Sequence, residues 1–197
     1  DMSIRSRLNR GFISIAALVS IAAVVGIIAM LIINNRYQHA LTNYAFPQGD
    51  IGKAMTAFAE SRSSLRAVIG YNDPDMRKLQ KENWKKYKTE FEEYMVAIEK
   101  TMVTEEGHAA YAAIEAALEG YWELNESIIA QGMSDVVSLR TTAQSRGINE
   151  LMPQYNKVYA ELDALMAVNV EKGNDTQTGL LTLQWILIAC IIIIVII

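Results

Sequence analysis

Cysteine, histidine and proline are nearly missing from this chain of 197 residues, which has one, two and three of them. The single cysteine, Cys190, excludes an internal disulfide and a thiolate-ligated metal site. The two histidines, His39 and His108, share no metal-ligand spacing and leave little material for acid–base catalysis. Paired carboxylates on one helix seam, a Ser-His-Asp order and a phosphate-cradling glycine loop are all missing, so neither an enzyme nor a bound cofactor or metal is expected. Basic charge is not in excess either. Against 22 Asp and Glu there are 18 Lys and Arg, the net charge is −4, and a nucleic-acid partner is excluded on that ground. Eleven glycines and three prolines exclude collagen-like and low-complexity chains.

What is present is uneven. Residues 12–33 (FISIAALVSIAAVVGIIAMLII) and 180–197 (LLTLQWILIACIIIIVII) carry no charge at all. About 20 apolar residues cross a hydrocarbon layer of ~30 Å, so the first run suffices and the second, which reaches the last residue, is expected to continue beyond it. The first apolar run is longer than a signal-peptide core and no small-residue cleavage site follows it, which reads as a retained anchor. Arg5, Arg7 and Arg10 precede that run, and the positive-inside rule puts residues 1–11 in the cytoplasm. Residues 34–179 then lie outside, with 15 basic and 21 acidic residues, and the second span returns the chain. Trp185 suits the interfacial aromatic belt. Ala16/Ser20 and Ala22/Gly26 are small-residue pairs at a spacing that allows close helix approach, although alanine-rich spans also contain such pairs by chance.

Between the spans the turn signals are few. Asn72-Asp73-Pro74 offers a cap and a proline at the first helical position, Thr104-Glu105-Glu106-Gly107 a start with acids in the first turn, and Gly132-Met133-Ser134-Asp135 a break with Ser134 as N-cap. Four helices are expected, over 34–70, 74–101, 105–131 and 134–179. Apolar positions step by four and three: Tyr37, Leu41, Tyr44, Ile51, Met55, Phe58, Leu65 and Ile69 in the first helix, with Gln48 and Arg62 in the same register. The second helix contributes Trp84, Tyr87, Phe91, Tyr94 and Ile98. The third contributes Tyr111, Ile114, Leu118, Tyr121 and Ile128, and the fourth Ile148, Met152, Tyr155, Tyr159, Leu162 and Met166. A repeat of about 3.5 residues on four connected helices specifies an all-α, antiparallel up-down-up-down bundle, here continuous with two transmembrane helices.

The order of arginines, span, four helices and span resembles the N-terminal part of bacterial methyl-accepting chemotaxis receptors. Asn72-Asp73-Pro74, Gly132-Met133-Ser134-Asp135, Glu150-Leu151-Met152-Pro153 and Leu165-Met166-Ala167-Val168-Asn169 carry the resemblance. It implies a homodimer, a small-molecule ligand of the organic-acid or amino-acid class, and a cytoplasmic part beyond this sequence that controls a histidine kinase. It also implies ligand-holding arginines late in the first helix, here Arg62 and Arg66, and a fourth-helix partner near Pro153-Gln154, where Gln154 replaces the threonine of aspartate and serine receptors. Related sensors precede kinases and cyclases, or read a binding protein or a membrane perturbation without a small ligand.

Helix rise points to the same level. Arg62 and Arg66 lie 29 and 33 residues after Ile33, and equal counts back from Leu180 reach Leu151 and Gly147. At 1.5 Å per residue this level stands about 45–50 Å from the bilayer. Arg146, Asn149, Glu150, Met152 and Tyr155 are near it, and Asn149, Met152 and Tyr155 join the arginines as candidate ligand contacts. A guanidinium in an apolar seam needs a partner. For Arg62 that is an ion pair with Glu150, a stem reaching out to the edge, or a bound carboxylate met by the planar fork. Tyr121-Trp122 and Tyr155/Tyr159 read as core aromatics before they read as a pocket, and Lys85-Lys86-Tyr87-Lys88 with Glu90, Glu92 and Glu93 as a solvated face of local ion pairs.

Overall fold

The structure, a computed structural model, describes residues 4–196; residues 1–3 of the basic N-terminal segment and Ile197 of the second apolar run lie outside the described residues. The elements are α1 (Ile4–Ala40), a π-helical turn (Leu41–Ala45), α2 (Phe46–Gly70), α3 (Pro74–Glu99), α4 (Glu105–Leu118), α5 (Tyr121–Gly132), α6 (Val137–Arg146), a second π turn (Gly147–Leu151) and α7 (Met152–Ile196). They fall into two compact units, one made of the residues up to Leu41 and from Gly173 onward, the other of Thr42–Lys172.

In the first unit the helical stretches contain windows of mean hydropathy 2.9 and 2.0, and both are long and apolar enough to cross a membrane. Only 6% and 0% of those windows is buried, which is the reverse of a soluble core helix. Large side chains such as Ile13, Val19, Ile27, Trp185 and Ile192 face outward, and Cys190 is exposed among them. Two hydroxyls in these stretches are satisfied within their own helix: Ser20 Oγ donates to the Ala16 carbonyl at 2.8 Å and Thr182 Oγ1 to the Thr178 carbonyl at 3.0 Å. An apolar solvent requires that.

The second unit is the bundle. Its first helix is α2, its second α3, its third α4 and α5 in succession, and its fourth α6, the second π turn and α7. The first turn is capped as its residues demand. Asp73 accepts from the amides of Asp75 and Met76 at 2.8 and 3.5 Å, and Pro74 occupies the first helical position. Thr104 Oγ1 accepts from the Gly107 amide at 3.0 Å and starts α4. Two expectations change. The third helix is not continuous but breaks at Glu119–Gly120, where Gly120 takes φ +70°, the left-handed conformation that only glycine adopts without strain. Ser134 does not cap a helix, because α6 begins at Val137; the serine hydroxyl instead accepts from the Val136 amide at 3.1 Å.

The reason for the second change is Arg77. It is 2% exposed, and its guanidinium donates to the carbonyls of Gly132 and Ser134 at 3.2 and 2.8 Å and to the Asp135 carboxylate at 3.0 Å. That fixes residues 132–135 as a turn pinned to the start of α3. Close approach at the same place needs a glycine: a Cβ on Gly132 would lie 2.7 Å from Ile69 Cγ2.

The core is an aromatic cluster around Phe58 of α2. Its ring centroid lies 5.2 Å from Phe91 of α3, 5.1 and 5.9 Å from Tyr121 and Trp122 of α5, and 4.9 Å from Tyr155 of α7, stacked on the last at 4°. Around it the buried stripe of α2 reads Ile51, Ala54, Phe58, Ser61, Leu65 and Val68. This is close to the expected seam but turned toward smaller residues, so Met55, Arg62 and Ile69 stand at its rim. In the fourth helix the stripe is Leu151, Tyr155, Val158, Leu162, Leu165 and Asn169. Ile148 and Met152, expected inside, are exposed, because a π turn changes the phase of the helix just before Met152; Tyr159 is also exposed, Val158 taking the inward position between Tyr155 and Leu162. The lysine run makes the expected local ion pairs, Lys85–Glu82, Lys86–Glu90 and Lys88–Glu92.

Phe58→Ala is expected to cost about 3–5 kcal/mol, since the cavity it leaves is walled by rings from three other helices. Arg77→Ala is expected to cost about 2–4 kcal/mol by stranding two carbonyls, with Arg77→Lys recovering only part because a lysine lacks the fork. Urea unfolding followed by circular dichroism measures both.

Candidate functional site

A groove of about 550 Å³ opens between α2 and the N-terminal part of the fourth bundle helix. From α2 it is lined by Arg62, Leu65, Arg66, Ile69 and Gly70, from α6 by Gln144, from the π turn by Gly147, Ile148 and Leu151, and from the start of α7 by Met152. The two arginines sit one helical turn apart, so both guanidiniums serve one space. Arg62 is half-buried and Arg66 exposed. Among the described residues no carboxylate lines the groove.

The Arg62 guanidinium rests on the face of Tyr155, 4.2 Å from the ring centroid. Tyr155 in turn stacks on Phe58, so cation, ring and ring form one column from groove to core. This settles how the rim arginine is accommodated. The alternative of an ion pair with Glu150 is not what forms: Glu150 pairs with Arg146 at 3.0 Å, and Arg146 turns toward α5, donating to Ser127 Oγ at 2.8 Å and Gln131 Oε1 at 3.3 Å. A cation on a π face offsets part of its desolvation, of order 0.5–2 kcal/mol, and leaves its N–H edge available to an anion. Burial raises the pKa of the Tyr155 hydroxyl, and the nearby Arg62 charge opposes that rise. The phenol therefore remains neutral beneath the guanidinium.

Of the residues singled out from the sequence, Arg62, Arg66 and Met152 line the groove, and Tyr155 lies directly under Arg62. Asn149 is outside the lining; it is exposed and its Nδ2 donates to Ser145 Oγ at 3.1 Å. Gln144 escaped the sequence reading. Its Nε2 donates to the Ile69 carbonyl at 3.3 Å, which ties the α6 wall to the α2 wall. Only the fold brings these together, since they are 75 residues apart. Arg77 also escaped, although stepping back by sevens from Ile98, Phe91 and Trp84 lands on it. His108 is exposed in the first turn of α4. Among the described residues no group of three or more His, Cys, Asp or Glu side chains could hold a metal ion.

Arrangement and polarity suit capture of a small anion. Two guanidiniums supply bidentate donors, and Leu65, Ile69, Ile148 and Leu151 supply an apolar floor. Residues 1–179 match the family model described as a four helix bundle sensory module for signal transduction. Comparison with the curated proteins finds no match.

Two core tyrosines, Tyr111 and Tyr121, give the bundle an alkaline limit. Burial raises Tyr121 and pushes Tyr111 up to about 12, whereas both ionise near 10 when unfolded. The unfolded chain then releases protons first, so stability is full below about pH 10 and falls as pH rises through the folded values. The Tyr121 hydroxyl is buried without a hydrogen-bond partner among the described residues. Tyr121→Phe is expected to be neutral or slightly stabilising at pH 7 and to reduce the loss above pH 10, read as melting temperature against pH.

Proposed function

The chain belongs to the four-helix-bundle sensory modules of chemotaxis receptors, and from that premise we propose that it is the sensing part of a transmembrane chemoreceptor that binds a small organic acid or amino acid directly. The observation that carries the reading is the groove itself: two arginines with no carboxylate partner among the described residues, over an apolar floor, between the first and fourth bundle helices. A packed, dry seam at this level would instead have supported a sensor of a binding protein or of the membrane.

A carboxylate bridging Arg62 and Arg66 adds contacts that exist only when α2 and the fourth helix are correctly placed. It therefore biases whichever arrangement of the two helices holds that placement better. α7 runs without interruption from Met152 to Ile196, so a small displacement of this helix is the route toward the output. In this reading residues 12–33 and 180–197 are the spans, residues 34–179 lie outside the cytoplasm, and residues 1–11 lie within it. Two copies pair as a homodimer, and the output is a cytoplasmic kinase pathway. The module senses and signals rather than catalysing.

The test is a thermal-shift and calorimetric panel on the full chain in lipid nanodiscs, with succinate, malate, benzoate, aspartate and serine. At least one is expected to raise the melting temperature in proportion to ln(1 + [ligand]/Kd). Arg62→Ala is expected to weaken that compound about tenfold or more, the worth of a charged hydrogen bond. Equal binding by Arg62→Ala removes the proposed anchor, and a panel without any binder removes direct sensing of this ligand class.

A further inference from the structure

Among the described residues there are two π turns, Leu41–Ala45 and Gly147–Leu151, and each is followed two residues later by a proline, Pro47 and Pro153. The third proline, Pro74, starts a helix and has no π turn before it. A proline inside a helix lacks the N–H that serves the carbonyl four residues back, and its ring presses on that same carbonyl. For Pro47 that carbonyl belongs to Asn43 and for Pro153 to Asn149, the middle residue of each π turn. The repeated offset assigns a common cause. Widening the preceding turn moves the carbonyl away from the ring, and the Met152 amide accordingly bonds to Gly147, five residues back.

The second of these turns is a wall of the groove. Gly147, Ile148 and Leu151 line it, and Gly147 is seated so close to α2 that a Cβ there would lie 3.3 Å from Ile69 Cδ1. We infer that Pro153, which does not line the groove, is a positioning residue for it: the proline holds residues 147–151 as a π turn, and the π turn sets where Ile148 and the α6 residue Gln144 face. This deepens the reading of the groove as a ligand site and rests on it only for the binding readout. Closing the π turn into α geometry absorbs one residue of slack, worth about 100° of rotation and about 1.5 Å of rise. α7 is held against rotation by Tyr155, Val158, Leu162 and Leu165, all buried. The α6 helix has one buried residue, Ala143, and no side-chain cap, so the rotation falls on α6 and carries Gln144 off the groove wall.

The test uses Pro153→Ala, with Pro47→Ala as control, in the full chain in nanodiscs. Spin labels on cysteines replacing the exposed Thr141 and Asn156, in a Cys190→Ser background, report the distance across the π turn by double electron–electron resonance. Alanine restores an amide and a favourable helical residue, so both variants are expected to melt higher than wild type. Pro153→Ala alone is expected to move the 141–156 distance by several ångströms and to weaken whichever of succinate, malate, benzoate, aspartate or serine binds by tenfold or more. Unchanged distance in Pro153→Ala overturns the inference, as does a shifted distance with unchanged affinity. If none of the five binds wild type while the distance still shifts, the ligand reading falls and the shaping of the groove by Pro153 stands.

Discussion

The bundle depends on one ring. Among the described residues Phe58 is the one side chain whose aromatic neighbours come from all three of the other bundle helices, and every one of those rings approaches within 6 Å of its centroid. Such a hub fixes register as well as stability, because rings at tilted, edge-on and stacked angles fit only one axial alignment of the helices. The small residues beside it, Ala54, Ala57 and Ser61, are what permit the rings to converge. The same hub reaches the groove through Tyr155, which means that the guanidinium of Arg62 rests on the core rather than on a mobile surface.

Two polar groups inside the bundle serve carbonyls where a helix is broken or carries a proline. Arg77 serves the carbonyls of a turn where α5 has ended. Asn169, 5% exposed in the fourth-helix stripe, directs its Nδ2 at 3.5 Å toward the Asn43 carbonyl, the one Pro47 cannot serve. Asn125, fully buried beside Tyr121, instead donates back into its own helix, to the Tyr121 carbonyl at 2.7 Å, and buried Ser61 does the same to the Phe58 carbonyl at 2.7 Å. Buried polar side chains are thus tied to backbone carbonyls, some at helix breaks and some within a helix.

Much of this was legible from the sequence, and the gaps have physical causes. The two uncharged runs, the caps at Asp73 and Thr104 and the 3.5-residue repeat announced an all-α bundle between two spans, because each is a local signal. Phase was less legible. Period counting favours bulky residues, so it chose Met55, Arg62 and Ile69 over Ala54, Ser61 and Val68, although the latter face the core. It also ran straight through Pro153 and so placed Ile148 and Met152 inside, since a π turn leaves no mark on apolar spacing. The level of the groove followed from helix rise alone. Its polar wall did not, because Gln144 meets Ile69 only after three chain reversals have brought α6 back to α2.

Anchoring the apex through Arg77 has a consequence for the conditions under which the turn holds. Its two carbonyl acceptors cannot be protonated, and they lie with the guanidinium away from solvent; the third acceptor, Asp135, is 91% exposed and contributes little once salt screens it. The hold on this turn therefore rests mainly on two neutral acceptors, and salt acts on it only through the exposed Asp135 contact. A sensory module built this way fastens one of its turns through groups that dissolved ions hardly reach.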